Sequence, residues 1–275
     1  MIHKGVLKKI LFHFLASLVA ILILIPFLWM FITSLKEKGA LLVVPVQWIP
    51  DTISFDAYKR IFTLFPFARA SFNSAFVSVA TTFVTILSAT MAAYVFAKIP
   101  FKGRENLFKL YLATMMVPGQ VTIIPIFLVL KDIGLVNSFA GLIAPSIFNA
   151  FAIFMLRQQI KTIPDDYIDA AVIDGASHIH IFKNVIIPLS KATLSTLTVI
   201  TFMGVWNDYF WPLVILSDKK KMTLPLALSQ LSGQYSSQYN VLMAGSLLSM
   251  LPIIIVYTLM QKNFKTGLQL GGIKG

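Results

Sequence analysis

The sequence predicts an all-α, polytopic membrane protein with six transmembrane helices, and three observations carry that expectation. Composition is the first: of 275 residues, 57% are hydrophobic and 12% charged, against roughly 45–50% and 25% for a soluble globular domain. Mean hydropathy is +0.80. The second is run length. Six apolar stretches reach or approach the roughly 20 helical residues needed to cross about 30 Å of hydrocarbon. The third is contrast, because one polar, acid-bearing segment interrupts the apolar pattern between the fourth and fifth stretches. No internal repeat or second domain is visible, so residues 1–275 read as one transmembrane domain.

The first span, Ile10–Leu35, follows the basic residues Lys4, Lys8 and Lys9. Its apolar stretch exceeds a signal-peptide core and no small-residue cleavage site precedes Lys36, so it reads as a retained helix. The loop from Lys36 to Ala70, with Pro45, Trp48, Pro50, Asp56 and Tyr58, has room for a short interfacial helix. Ser71–Ala97 is the second span. The third, Leu107–Leu130, holds Pro118-Gly119 and Pro125, which predict kinks whose freed carbonyls must lie beside protein or water. Phe139–Leu156 is the fourth and shortest. The fifth, Ala192–Leu216, is followed by a polar stretch, Ser217–Asn240, and the sixth is Val241–Met260. Six spans put both termini on one side. The segments on that side hold most of the Lys and Arg residues, although Lys219–Lys221 run against the trend, so the termini are expected in the cytoplasm.

Between spans four and five, within a polar loop of about 157–191, runs Pro164–Leu189, PDDYIDAAVIDGASHIHIFKNVIIPL. Thr162 can cap a helix whose first turn holds Asp165 and Asp166, where carboxylates favour the positive end of the macrodipole. Asp169, Ala170 and Ala171 follow, and after Asp174, Gly175 can end the helix in a left-handed C′ conformation, with Ala176 next. A second helical run from Ser177 is expected to stop at Pro188. Two helices at an angle, exposing small residues, make a knob suited to a cleft in another protein.

Polar residues within apolar spans are candidates for function. Asp208 is flanked by Trp206, Asn207, Tyr209, Phe210 and Trp211. Aromatic faces beside hydrogen-bonding groups suit a sugar; the same residues also suit a membrane-interface belt. Asn73, Gln120 and Asn149 are further candidates for a substrate pathway.

Several chemistries are excluded or unsupported. There is no Cys, hence no disulfide or thiolate metal site. No G-x-x-x-x-G-K-[ST] occurs. Leu231-Ser-Gly-Gln234 resembles a fragment of an ATPase signature but falls on the outer face of the expected topology. Gly271–Gly275 lacks the Ser or Thr of a phosphate loop. The four His (His3, His13, His178, His180) form no metal-ligand pattern, and no nucleophile–base constellation appears. The net charge of +12 is scattered through loops, which fits anionic lipid rather than nucleic acid.

The spacing Asp169-Ala-Ala, Gly175, then Val185-Ile-Ile-Pro188 resembles the E-A-A, three residues, G, nine residues, I-x-L-P pattern of ABC importer permeases. Asp stands for Glu at 169, Val for Ile at 185 and Ile for Leu at 187. MMVPGQVTIIP (Met115–Pro125), WNDYFWPL (Trp206–Leu213) and QKNFKTGLQLGGIKG (Gln261–Gly275) extend the likeness to the carbohydrate-type, maltose-type permeases. The resemblance implies a type I ABC importer permease fold in the cell membrane and a role in sugar import. It implies as partners a second permease, two ATPase subunits that hold ATP and Mg, and an extracytoplasmic solute-binding protein. Ala170, Ala171 and Gly175 then permit close approach in an ATPase groove. The tail 261–275, whose Gly267, Gly271, Gly272 and Gly275 predict an extended rather than helical chain, threads between the ATPases with Gln269, Leu270, Gly271 and Gly272. A second class remains, an ion-coupled carrier using Asp208, which an inverted repeat would favour.

The missing phosphate loop sets a first test. The purified subunit alone is expected neither to bind nor to hydrolyse ATP; saturable nucleotide binding in a calorimetric titration without partners refutes this.

Overall fold

A computed structural model describes residues 2–37, 48–234 and 238–271, with side chains described at 6, 8–37, 48–232 and 238–262. The described elements are all helical. Three helices are long and apolar enough to cross a membrane unaided: Lys8–Ser34 within α1 (Ile2–Ser34), all of α3 (Phe67–Lys98), and Tyr239–Lys262 within α14 (Tyr239–Gly271). The strongly apolar window of α1 is 0% buried. A helix that is hydrophobic all round belongs in lipid or against another membrane chain.

The other three spans are broken. Arg104–Met116, which includes α4 (Arg104–Ala113), meets α5 (Gly119–Asp132) at 102°. Phe139–Phe148, which opens with α6 (Phe139–Ile143), meets α7 (Ala150–Lys161) at 41°. The expected kink at Pro118 is therefore a full break.

The fifth span departs from its expected bounds. α11 covers only Lys191–Trp206, and Phe210–Ile215 forms a separate short helix, α12. Asp208 explains the break, since its Oδ1 accepts the Trp211 N–H at 3.1 Å and starts a new helix. What lies before α11 at a 78° bend is the run His178–Leu189, which comprises α9 (His178–Ile181), a π turn over Phe182–Ile186 and α10 (Ile187–Leu189). The run ends one residue beyond Pro188, close to the expected stop, and the chain bends at Ser190.

The chain packs as two compact units. One comprises Met1–Ala68 with Ala227–Met250, the other Arg69–Leu226 with Leu251–Gly275. In the first, the short helix expected in the 36–70 loop is α2 (Asp56–Leu64), which buries Ala57 and Ile61. Tyr58 and Ser34 hydroxyls meet at 2.8 Å, and the Asn240 amide donates to the Lys36 carbonyl at 3.0 Å. A Cβ on Gly245 would meet Leu228 at 2.9 Å and Ile61 at 3.1 Å, so the backbone there approaches its neighbours closely.

The second unit has its core where α3, α7 and the run 178–189 meet. Ala89, Ala93 and Tyr94 of α3 pack with Leu156, Ile160, Ile181 and Ile186. Alanines one turn apart let a neighbouring helix come close. On α3, Thr85 Oγ1 donates to the Ser146 carbonyl at 3.0 Å and Ser88 Oγ to that of Ile147. These are carbonyls freed by the 3-10 turn Ala144–Phe148 at the 41° break. Helix α14 continues to Gly271, so the tail is helical through Gln269, Leu270 and Gly271 rather than extended. Glycine inside a helix costs only about 1 kcal/mol, and an established ladder propagates past it. The side chains of this stretch, and Gly272 altogether, lie outside the described residues.

Gly141 supplies a stability test. A Cβ there would stand 2.3 Å from the Leu135 carbonyl oxygen, whereas one on Gly204 meets nothing within 4 Å. Gly141→Ala is expected to lower stability by about 1–3 kcal/mol through overpacking, and Gly204→Ala to be neutral or slightly stabilising. Thermal unfolding of the two variants in one detergent checks the difference, and equal midpoints contradict it.

Candidate functional site

The polar segment forms a helix-turn-helix knob. α8 spans Asp166–Ile173 with Asp165 at its N-cap and Asp174 at its C-cap. Thr162 does not cap it as expected; its Oγ1 donates to the Gln159 carbonyl at 2.8 Å and closes α7 instead. Asp165 is free of capping because its carboxylate is engaged elsewhere, by Lys98 at 2.6 Å. At the other end the reading of Gly175 holds, with φ at 77°. Gly175 N–H donates to the Val172 carbonyl and Ala176 N–H to that of Ala171, both at 2.9 Å. This pair of bonds is the Schellman motif, which satisfies two terminal carbonyls. Ser177 then accepts from the His180 N–H at 3.3 Å and opens the second run.

The two faces of α8 differ. Ile168, Ala171 and Ala176 pack against the core of the second unit. Ala171, three residues from Ile168, is half-buried: it touches the core on one side and lines the surface pocket beside Gly175 on the other. Asp166, Asp169 and Ala170 are exposed. So are apolar side chains: Ile173 is 84% exposed, Ile179 68%, Tyr167 55% and Val172 54%. A shallow pocket between the two helices is lined by Asp174, Gly175, His180 and Asn184 among others.

Two buried cations act at this end of the unit, Lys98 tying α3 to the start of the knob and Arg157 tying α7 to α3 and α4, and composition alone did not single them out. Lys98 Nζ also donates to the Ile163 carbonyl at 2.6 Å. Arg157 Nε donates to the Phe96 carbonyl at 3.0 Å, its Nη2 to Glu105, and its guanidinium lies 3.8 Å from the centre of the Phe108 ring. The signal available in sequence was a basic residue at the very end of an apolar run, with acidic residues in the facing loop.

The pathway candidates separate. Asp208 borders a small cavity of about 40 Å³ with Ser74, Ser78, Ser146, Trp211 and Thr223. Trp206 is 2% exposed and its indole stacks on Phe202, centroids 5.8 Å apart; buried in packing, it does not present the open ring face expected for a sugar. Asn207 is exposed and its amide donates to the Met203 carbonyl at 2.9 Å. Asn73 is buried and committed to the Lys220 and Met222 carbonyls at 3.0 and 2.9 Å. Asn149 caps α7 by accepting the Ala152 N–H at 2.9 Å. Gln120 is exposed in the first turn of α5, beside the 102° break. Asp208 and Asn73 thus share one end of the second unit, while Gln120 and Asn149 mark separate helix breaks. The neighbours missed from sequence were hydroxyls: Ser71, Ser74, Ser78, Thr81, Thr85 and Ser88 recur every three or four residues along one face of α3.

Comparison with known proteins adds the following. The family model described as "Binding-protein-dependent transport system inner membrane component" matches residues 84–269. The arabinooligosaccharides transport system permease protein AraQ of Bacillus subtilis (strain 168) is 34% identical over 94% of this chain and 93% of its own. The lactose transport system permease protein LacG of Rhizobium radiobacter is 33% identical over 98% and 97%. Among solved structures, a chain of a bacterial ABC transporter involved in import of the acidic polysaccharide alginate superposes with a TM-score of 0.83 at 28% identity, covering 94% of this chain and 96% of that one. The alternative of an ion-coupled carrier is not supported by these likenesses.

The geometry at Asp208 yields its own expectation. Asp208→Ala removes the acceptor for the Trp211 N–H and should destabilise the protein by about 1 kcal/mol, as loss of a helix cap does, whereas Asp208→Asn keeps an oxygen there and should cost less. Thermal melts rank the two, and a reversed order contradicts the capping role.

Proposed function

The chain belongs to the binding-protein-dependent transport system inner membrane components, and from that premise we propose that it is one permease subunit of an ATP-driven carbohydrate importer of the cell membrane. In this reading a second, homologous permease completes the translocation pathway. Two ATPase subunits, which hold the ATP and Mg, bind the face that carries the knob, and an extracytoplasmic solute-binding protein delivers the sugar to the other. Both termini are cytoplasmic, and the chain has no ATPase activity of its own. The names of similar proteins, transporters of arabinooligosaccharides, lactose and alginate, support the substrate class.

One observation carries the reading: four large apolar side chains, Tyr167, Val172, Ile173 and Ile179, stand more than half exposed on a segment too acidic to lie in lipid. Apolar surface that neither lipid nor the chain's own core covers marks a protein contact. Ala170, Asp169 and Gly175 lie on this outward surface and allow a partner's backbone to come near. When the ATPases close, they move the knob, and rigid-body rocking of the helices alternates access to the pathway. Asp208 and Asn207 border that pathway, and the tail through Gln269 to Gly272 reports its state to the ATPases.

Ala170→Trp tests the docking face without disturbing the core. It should reduce ATP-driven uptake at least tenfold in the assembled complex while leaving membrane insertion and melting temperature unchanged. Gly175→Ala is the control: its Cβ meets nothing within 4 Å, and the left-handed backbone costs about 1 kcal/mol, so uptake should fall only modestly. Normal uptake with Trp at 170 rules out this face as the contact.

A further inference from the structure

Peptide bonds join α8 and the run 178–189 to α7 and α11 only; their attachment to α3 is entirely through side chains. Lys98, the last residue of α3, has a side chain 8% exposed, and its ammonium divides between the Ile163 carbonyl and the Asp165 carboxylate, each at 2.6 Å. One turn earlier, Tyr94 is 5% exposed; its hydroxyl lies 3.3 Å from His178 Nδ1 and its ring 6.0 Å from that of Phe182. Residues i and i+4 of one helix share a face. The final turn of α3 therefore grips the start of α8 with one residue and the start of the second run with the other.

We propose that Lys98 and Tyr94 are positioning residues that carry movement of the knob into α3, a line of transmission additional to the peptide links to α7 and α11. The proposal rests on the coupling role assigned to the knob above. Its physical basis is directional: a buried ammonium loses both partners if α8 shifts alone, so α3 follows rather than leaving the charge unpaired. Apolar packing at the same place could slide.

The chain has no Cys, so cysteines introduced at Ile173 and Phe83, 84% and 65% exposed, can carry nitroxide labels for pulsed distance measurement. In the isolated permease, Lys98→Met should broaden the distance distribution between α8 and α3, Tyr94→Phe should broaden it less, and the swap Lys98→Asp with Asp165→Lys should restore it. In the complex with its ATPases, Lys98→Met should lower sugar transported per ATP hydrolysed roughly 3- to 10-fold, with recovery in the swap. A purely structural role would leave that ratio unmoved even where expression falls. An unchanged ratio overturns the transmission, and an unchanged distance distribution overturns the clamp itself. A wild-type chain that recruits no ATPase overturns the functional reading instead, and is told apart because the distance change in Lys98→Met persists.

Discussion

Hydrocarbon offers no partner to a backbone N–H or C=O, so a membrane chain that breaks its helices must supply partners from its own side chains. Here two spans are bent at 102° and 41° and the fifth is interrupted after Trp206, and their polar residues are disposed accordingly. Asn149 closes the start of α7, Asp208 the start of α12, and Thr85 and Ser88 reach across from α3 to carbonyls of the 3-10 turn at the 41° break. Near the 102° break, Thr114 and Thr122 hydroxyls return to the Tyr111 and Gly119 carbonyls. Much of the polarity inside these apolar segments therefore serves the backbone first.

That arrangement makes α3 the spine of its unit. It is continuous over 32 residues while α4 to α12 are short or bent. On one of its faces Ser74, Thr85 and Ser88 satisfy backbone groups of neighbouring segments, a small-residue stretch around Ala89 and Ala93 admits α7 and the 178–189 run, and its last turn holds Tyr94 and Lys98. An unbroken helix transmits displacement along its length as a rigid body, which a chain of bent pairs does not. The contacts to the knob at Tyr94 and Lys98 and the serines beside Asp208 thus stand at opposite ends of one continuous helix.

Much of this was legible in the sequence and some of it was not, for physical reasons. Span lengths and the Gly175 turn follow from local rules: run length against bilayer thickness, and a glycine where the backbone needs positive φ. The break at Asn207 was missed because hydropathy averages over a window, and Trp206, Phe210 and Trp211 keep the average high across a helix end. Pro188 marks the end of its run to within a residue, whereas the π turn before it was not legible, since the deformation depends on packing rather than on residue type. Ala171 is half-buried, touching the core and lining the surface pocket at once, a double placement that small size permits and that sequence alone does not show. Lys98 and Arg157 looked like loop charges; their burial depends on which distant helix ends meet them.

The placement of those two cations follows from the cost of burying charge. A buried ion pair seldom stabilises more than apolar packing of the same volume, since desolvation offsets most of the attraction. What it supplies instead is register, because its geometry tolerates only one alignment of the groups. In the second unit the buried basic side chains Lys98 and Arg157, 8% and 4% exposed, lie at the end that carries the knob, each bonded to a carboxylate and a backbone carbonyl. Their acidic partners, Asp165 and Glu105, keep 76% and 50% of their side-chain surface accessible, so each pair is desolvated on one side only. The cost stays low while the alignment is kept. The two pairs thereby fix the register of α3 against α7 and against the start of α8 at that end of the unit.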